Sequence, residues 1–99
     1  MQHFLNKTAT ELKIGNYSPK TVKSYLYTLK KYFTFKKDNI EKLEIENIKN
    51  FLLRKQKHKA SPQTINLYLN AIKFFYREIV KSPGRIKMIM YLPTNAAVN

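Results

Sequence analysis

The sequence predicts an all-α fold. Three observations carry that reading. Apolar residues recur at helical spacing through four separate segments. Two of those segments open on Ser-Pro-x-Thr, a strong helix start. Only two glycines occur, and no hairpin-type dipeptide, which argues against a β fold. Ninety-nine residues that are 43% hydrophobic suit one domain with a modest core.

The first helix is expected from about Phe4 to Ile14, with Phe4, Leu5, Ala9 and Leu12 inward. It stops at GNYSP, where Gly15 suits a left-handed C-terminal cap and Asn16 a turn. The second runs from Pro19 to about Phe35. Next comes the loop KKDNIEKLE, whose Asp38, Glu41 and Glu44, with Glu46, hold four of the six acids. Some of these acids precede or enter the first turn of the third helix, where its dipole favours negative charge. That role accounts for the cluster without a metal, which would need tighter oxygen-ligand spacing. The third helix spans about Ile45 to Lys57, with Ile45, Ile48, Phe51 and Leu52 at helical spacing. The fourth runs from Pro62 to about Lys81 and ends at KSPGR. Residues 1–82 read as the domain. Residues 83–99, apolar RIKMIMYLP followed by bland TNAAVN, read as an exit segment or linker.

The second and fourth helices are near-copies. SPKTVKSYLYTLKKYF and SPQTINLYLNAIKFFY share Ser, Pro, Thr, Tyr, Leu and Lys at the same six offsets. In each, the Ser caps the helix, the Pro occupies the first helical position, and the Thr stands in the first turn with a free hydroxyl. Free N–H groups, the positive dipole end and a hydroxyl together suit an anion. A capped helix and nothing more is the competing reading.

At about 100° per residue, Val22, Tyr25, Leu26, Leu29, Tyr32 and Phe33 share the core side of the first copy. Ile65, Tyr68, Leu69, Ile72, Phe75 and Tyr76 share that of the second. Opposite lie Lys20, Lys23, Tyr27, Lys30 and Thr34, and in the second copy Gln63, Asn66, Asn70, Lys73 and Arg77. Neither stripe contains an acid, whereas a plain solvated face usually mixes signs. Lysines around a tyrosine suit phosphates. Amides with Lys and Arg suit adenine and guanine edges in a major groove. Phe74, Leu67 and Phe35 fall near the polar border. Core or interface positions are expected for them rather than a stacking platform, and Tyr17 is expected to pack like a staple.

Charge supports a polyanionic partner. Nineteen Lys and Arg stand against six Asp and Glu, a net +13, and so large an excess repels itself. Nucleic acid is favoured over membrane, since no helix joins a basic face to a bare, bulky apolar one. The chain has no Cys, and His3 and His58 are isolated, so no metal or cofactor site is read. No catalytic residue is assigned, because no His or carboxylate is spaced to activate any of the seven Tyr. No stretch approaches about 18 apolar residues. MQHFLNKTATELK is polar throughout and unlike a signal peptide, making a cytoplasmic protein the default.

YSPKTVKSYLYTLKKYF, LEIENIKNFLLR and SPQTINLYLNAIKFFYREIV, in that order and spacing, resemble the N-terminal core-binding (SAM-like) domain of tyrosine recombinases of the phage-integrase and Xer type. The match covers about Tyr17 to Val80. It implies a compact orthogonal bundle of four to five helices that forms half of a clamp around double-stranded DNA. Carried over by position, Lys20, Thr21 and Lys23 anchor phosphates on one side, and Ser61, Gln63 and Thr64 on the other. Asn66, Asn70, Lys73 and Arg77 lie toward base edges, with Tyr27 and Lys30 from the crossing helix. Family catalysis uses Arg, Lys, His-x-x-Arg and a nucleophilic Tyr in a separate C-terminal domain. The domain is therefore expected to be non-catalytic by itself, with that catalytic domain and sister protomers as partners. Many members turn on Asn-Pro after the fourth helix; here KSPGRIKMIM follows. The rival readings are a basic RNA-binding module, a protein-interaction domain docking through Leu67, Phe74 and IKMIMYL, and a helix-turn-helix repressor. The last is disfavoured by the whole helix and long loop between the two repeats.

Overall fold

A computed structural model describes residues 1–81. The expected linker 83–99, the stop at KSPGR beyond Lys81 and the docking segment IKMIMYL lie outside the described residues. Four α-helices follow in order: α1 (Gln2–Ile14), α2 (Pro19–Lys36), α3 (Ile45–Lys57) and α4 (Pro62–Phe74). α4 continues without a break as a π-helical segment, Phe75–Val80. No strand occurs among the described residues. The expected all-α fold is thus the observed one.

The repeat runs deeper than the two Ser-Pro copies. Gln2 and Ile45, Ile14 and Lys57, and Pro19 and Pro62 are each 43 positions apart. Each half of the chain is therefore a helix of 13 residues, a turn and a longer helix. The turns match too, although GNY and HKA share nothing. In the first, the N–H groups of Asn16 and Tyr17 donate to the carbonyls of Lys13 and Leu12; in the second, those of Lys59 and Ala60 donate to Gln56 and Lys55. Both are Schellman closures, with Asn16 (φ 63°) and Lys59 (φ 65°) left-handed. This corrects the expectation for Gly15, whose φ is −79°. The left-handed residue is the next one, Asn16, a residue type whose short polar side chain tolerates that region. Gly15 serves a close approach instead: a Cβ there would lie 3.2 Å from Cε1 of Tyr17.

α2 and α4 form the central pair, α1 packs on α2 and the π-helical segment, and α3 packs on α4 and α2. The predicted core faces meet. Leu29, Tyr32, Phe33, Leu69, Ile72, Phe75 and Tyr76 are almost wholly buried. Phe33 and Phe75 stand edge to face with centroids 4.9 Å apart, and Phe4 from α1 closes on Phe75 at 5.5 Å. The expected continuous α-helix to Lys81 is corrected over its last turn. There the Lys81 N–H donates to the Tyr76 carbonyl, five residues back. Three consecutive aromatics are buried in different directions: Phe74 toward Tyr17 and Tyr25, Phe75 toward Phe4 and Phe33, Tyr76 toward Tyr32.

Two features of the 37–44 loop are absent from the sequence reading. Ile40 and Leu43 are buried, and the Tyr76 hydroxyl donates to the Ile40 carbonyl at 2.8 Å. Tyr32 approaches that same hydroxyl at 3.4 Å. Burial pushes the Tyr32 hydroxyl up to about 12 and raises that of Tyr76 further. Lys36, at the end of α2, is also buried; its ammonium pairs with Glu44, which in turn accepts from Asn47 Nδ2 at 3.1 Å. Glu44 is the N-cap residue of α3, but its carboxylate serves Lys36 rather than the helix start.

These contacts fix two outcomes. Glu44→Ala strands a buried ammonium and should cost about 3 kcal/mol in urea unfolding, whereas Lys36→Met should stay within about 1 kcal/mol of wild type. Tyr76→Phe leaves the Ile40 carbonyl without its donor. It should cost about 1–2 kcal/mol and speed amide exchange in residues 37–44 above that of the helices.

Candidate nucleic-acid interface

The two helix starts are built alike. Ser18 Oγ accepts from the Thr21 N–H at 3.1 Å, and Ser61 Oγ accepts from the Thr64 N–H at 3.2 Å. In both, the Ser and Thr hydroxyls also bond to each other at 3.0 Å. The threonine oxygens are therefore engaged, but Thr21 accepts from Ser18 and keeps its own O–H to donate. The caps are more self-contained than the sequence suggests, because Pro19 and Pro62 have no N–H and the Thr N–H groups are spent on serine. The N–H groups of Lys20 and Gln63, at the second helical position, remain to meet an anion at the positive end of each helix.

The α2 stripe is exposed along its length: Lys20, Lys23, Tyr27, Lys30 and Thr34 all face solvent. The Thr34 hydroxyl is returned to its own helix, donating to the Lys30 carbonyl at 2.9 Å. Lys23 lines a small cleft of about 310 Å³ beside the first turn, together with Lys13 and Tyr17. Lys13 is a cation that the sequence reading did not single out.

The α4 stripe differs. Gln63 and Asn70 are exposed, but Asn66, Lys73 and Arg77 are half-buried. Asn66 Oδ1 is shielded from solvent and has no hydrogen-bond partner among the described residues. Asn70, by contrast, is exposed and presents its amide to solvent. Burial, and then Arg77 beside it, push the Lys73 ammonium below its usual range. Arg77 Nε donates to Glu78 Oε2 at 2.9 Å, and its guanidinium lies over the Phe74 ring at 6.0 Å. The stripe itself is free of acids, yet its last cation is paired. Adjacent residues on an α-helix do not face each other, and this pair lies in the π-helical segment.

The border aromatics resolve as core. Phe74 is buried under Tyr17 and Tyr25, with centroids at 5.5 and 6.2 Å. Phe35 packs on Phe51 at 5.5 Å, and Leu67 is half-buried. Tyr17 packs as expected of a residue before the cap, but onto Tyr25 and Phe74.

The structure also brings α3 to the α2 stripe. Tyr27, Lys30, Lys31 and Phe35 of α2 line an open groove of about 940 Å³ with Arg54 and Lys55 of α3. Lys31 Nζ lies 4.7 Å from the centre of the Tyr27 ring, Lys55 Nζ 5.3 Å from Phe51, and the Arg54 guanidinium 5.8 Å from Phe35. Burial, followed by repulsion from Lys31 and Arg54, pushes the Lys55 ammonium down. The sequence reading missed Lys31, Arg54 and Lys55. It treated α3 as a packing element, and last-turn cations there look like ordinary partners for the helix dipole. Only the packing of α3 on α2 shows that they join Tyr27 and Lys30.

Among the described residues no group of three or more His, Cys, Asp or Glu is placed to hold a metal ion. No helix among them is long and apolar enough to cross a membrane. What the arrangement can do chemically is hold an extended anion. It offers two positive helix starts, one exposed lysine stripe, one partly sheltered amide stripe, and a basic groove between two helices.

No curated protein and no solved structure matches the chain. The family model of the phage integrase N-terminal SAM-like domain matches residues 4–85, from the first turn of α1 past the π-helical segment. The order of the four helices, the paired Ser-Pro starts and that match together place this chain in the phage integrase N-terminal SAM-like domain family.

Proposed function

We propose that this domain binds duplex DNA selectively, as the N-terminal clamp domain of a tyrosine site-specific recombinase. The observation that carries the reading is the α2 face, where Lys20, Lys23, Tyr27 and Lys30 are all exposed and no acid intervenes. Such a face exchanges condensed counterions for lysine ammonium groups when it meets a duplex. Lys20, Thr21 and Lys23 at one helix start, and Ser61, Gln63 and Thr64 at the other, hold phosphates and set the register. Asn66 and Asn70, with Lys73 and Arg77, address base edges. A catalytic domain in the same protein and sister protomers on the DNA are the further partners of this role, which belongs to the cytoplasm.

Titration of a labelled duplex at several salt concentrations tests the proposal. Binding should weaken steeply as salt rises; no binding at low salt, or a flat salt response, overturns the reading. A structured RNA that outcompetes duplex DNA would replace it with RNA binding. Lys23→Ala and Lys30→Ala should weaken binding to every sequence alike. Asn70→Ala should chiefly narrow the gap between cognate and random duplex, by about 1–3 kcal/mol.

A further inference from the structure

The groove between α2 and α3 needs its own explanation. Three of its cations, Lys31, Arg54 and Lys55, pair with no carboxylate among the described residues; each lies instead over an aromatic ring. A ring face holds a cation in place without neutralising it. The Lys31 ammonium, pushed above its usual range by its hydrogen bond to the Tyr27 hydroxyl, keeps its other N–H donors. The three are also close enough for Lys31 and Arg54 to act on Lys55. Like charges gathered from two helices with no acid between them raise the energy of the free protein, and a bound anion relieves that repulsion.

We propose that this groove is a second phosphodiester-binding site, in which Lys31, Arg54 and Lys55 grip the sugar–phosphate backbone of DNA next to the segment that lies along α2. The proposal rests on the DNA-binding reading and extends it to a helix that reading leaves out. Three features select this occupant. Tyr27 and Lys30 belong both to the α2 stripe and to the groove wall, so a strand lying on the stripe continues into the groove. The groove is open, with cations on both walls, which suits a chain passing through better than a compact ligand held by convergent groups. Tyr27, 59% exposed, offers a ring against which a sugar or base can lie.

The test uses the full chain with a labelled random-sequence duplex, and compares Lys31→Met, Arg54→Met and Lys55→Met with Lys23→Ala. Methionine keeps the packing of each stem on its ring, and thermal melting checks that each variant folds as wild type does. Each groove variant should lower the steepness of log affinity against log salt by about one, the loss of one phosphate contact. Reductive methylation read by mass spectrometry should show Lys31 and Lys55 protected by bound duplex. If only Lys23→Ala lowers the slope, and Lys31 and Lys55 stay reactive in the complex, the groove proposal is overturned and the DNA-binding reading stands. If wild type binds no duplex at low salt, both fall. If a poly-glutamate peptide binds wild type and not the groove variants, while duplex binding is unchanged in all, the groove belongs to an acidic protein partner and the proposal is overturned.

Discussion

The packing of α2 against α4 is the contact on which every other element leans. Leu29, Tyr32 and Phe33 meet Ile72, Phe75 and Tyr76 in a nearly dry seam. α1 closes one side of it through Phe4, and α3 closes the other through Phe51, whose ring stands 5.3 Å from Tyr32. The loop between α2 and α3 is tied to the same seam by the Tyr76 hydroxyl. Because the apolar sides of α2 and α4 are used up in this way, their polar sides must face out. The position of the basic stripes follows from the core.

A second constraint is charge. A net +13 on 99 residues works against compactness. The few acids are placed where they matter most. Glu44 neutralises Lys36, the one buried lysine among the described residues, and Lys42 also approaches it at 3.9 Å. Glu78 takes up Arg77. Elsewhere aromatic rings hold cations: Tyr27, Phe35 and Phe51 carry Lys31, Arg54 and Lys55 over one face. These three cations are held in position with no carboxylate beside them among the described residues.

Much of this was legible in the sequence, because helix starts and apolar periodicity are local signals. Ser18-Pro19 and Ser61-Pro62 mark their helices to the residue, and the stripe residues were placed opposite the core from spacing alone. What escaped depends on partners distant in the chain. Lys36 reads as one more surface lysine until Glu44 folds back beside it. Ile40 and Leu43 sit among charges, and only the reach of Tyr76 shows why they are buried. The π-helical turn shows no period that a 100° search can find. Asn16 rather than Gly15 takes the left-handed position, and Gly15 lies close under the Tyr17 ring. Arg54 and Lys55 join the basic surface only through the packing of α3 beside α2.

The 43-residue spacing has a consequence for how the domain can change. Tyr32 and Phe33 of the first half correspond to Phe75 and Tyr76 of the second, and the observed contacts are Tyr32 with Tyr76 and Phe33 with Phe75. Each contact is the image of the other under exchange of the halves. The seam is thus isologous, as in a twofold homodimer whose protomers have been joined end to end. At such a seam a change in one half is met by its counterpart across the axis, so the two sets of side chains are held to matching shapes. Residues far from the axis carry no such obligation. That is where the halves differ: lysines on the outer face of α2, amides with Lys and Arg on that of α4, and a basic groove where α3 meets α2.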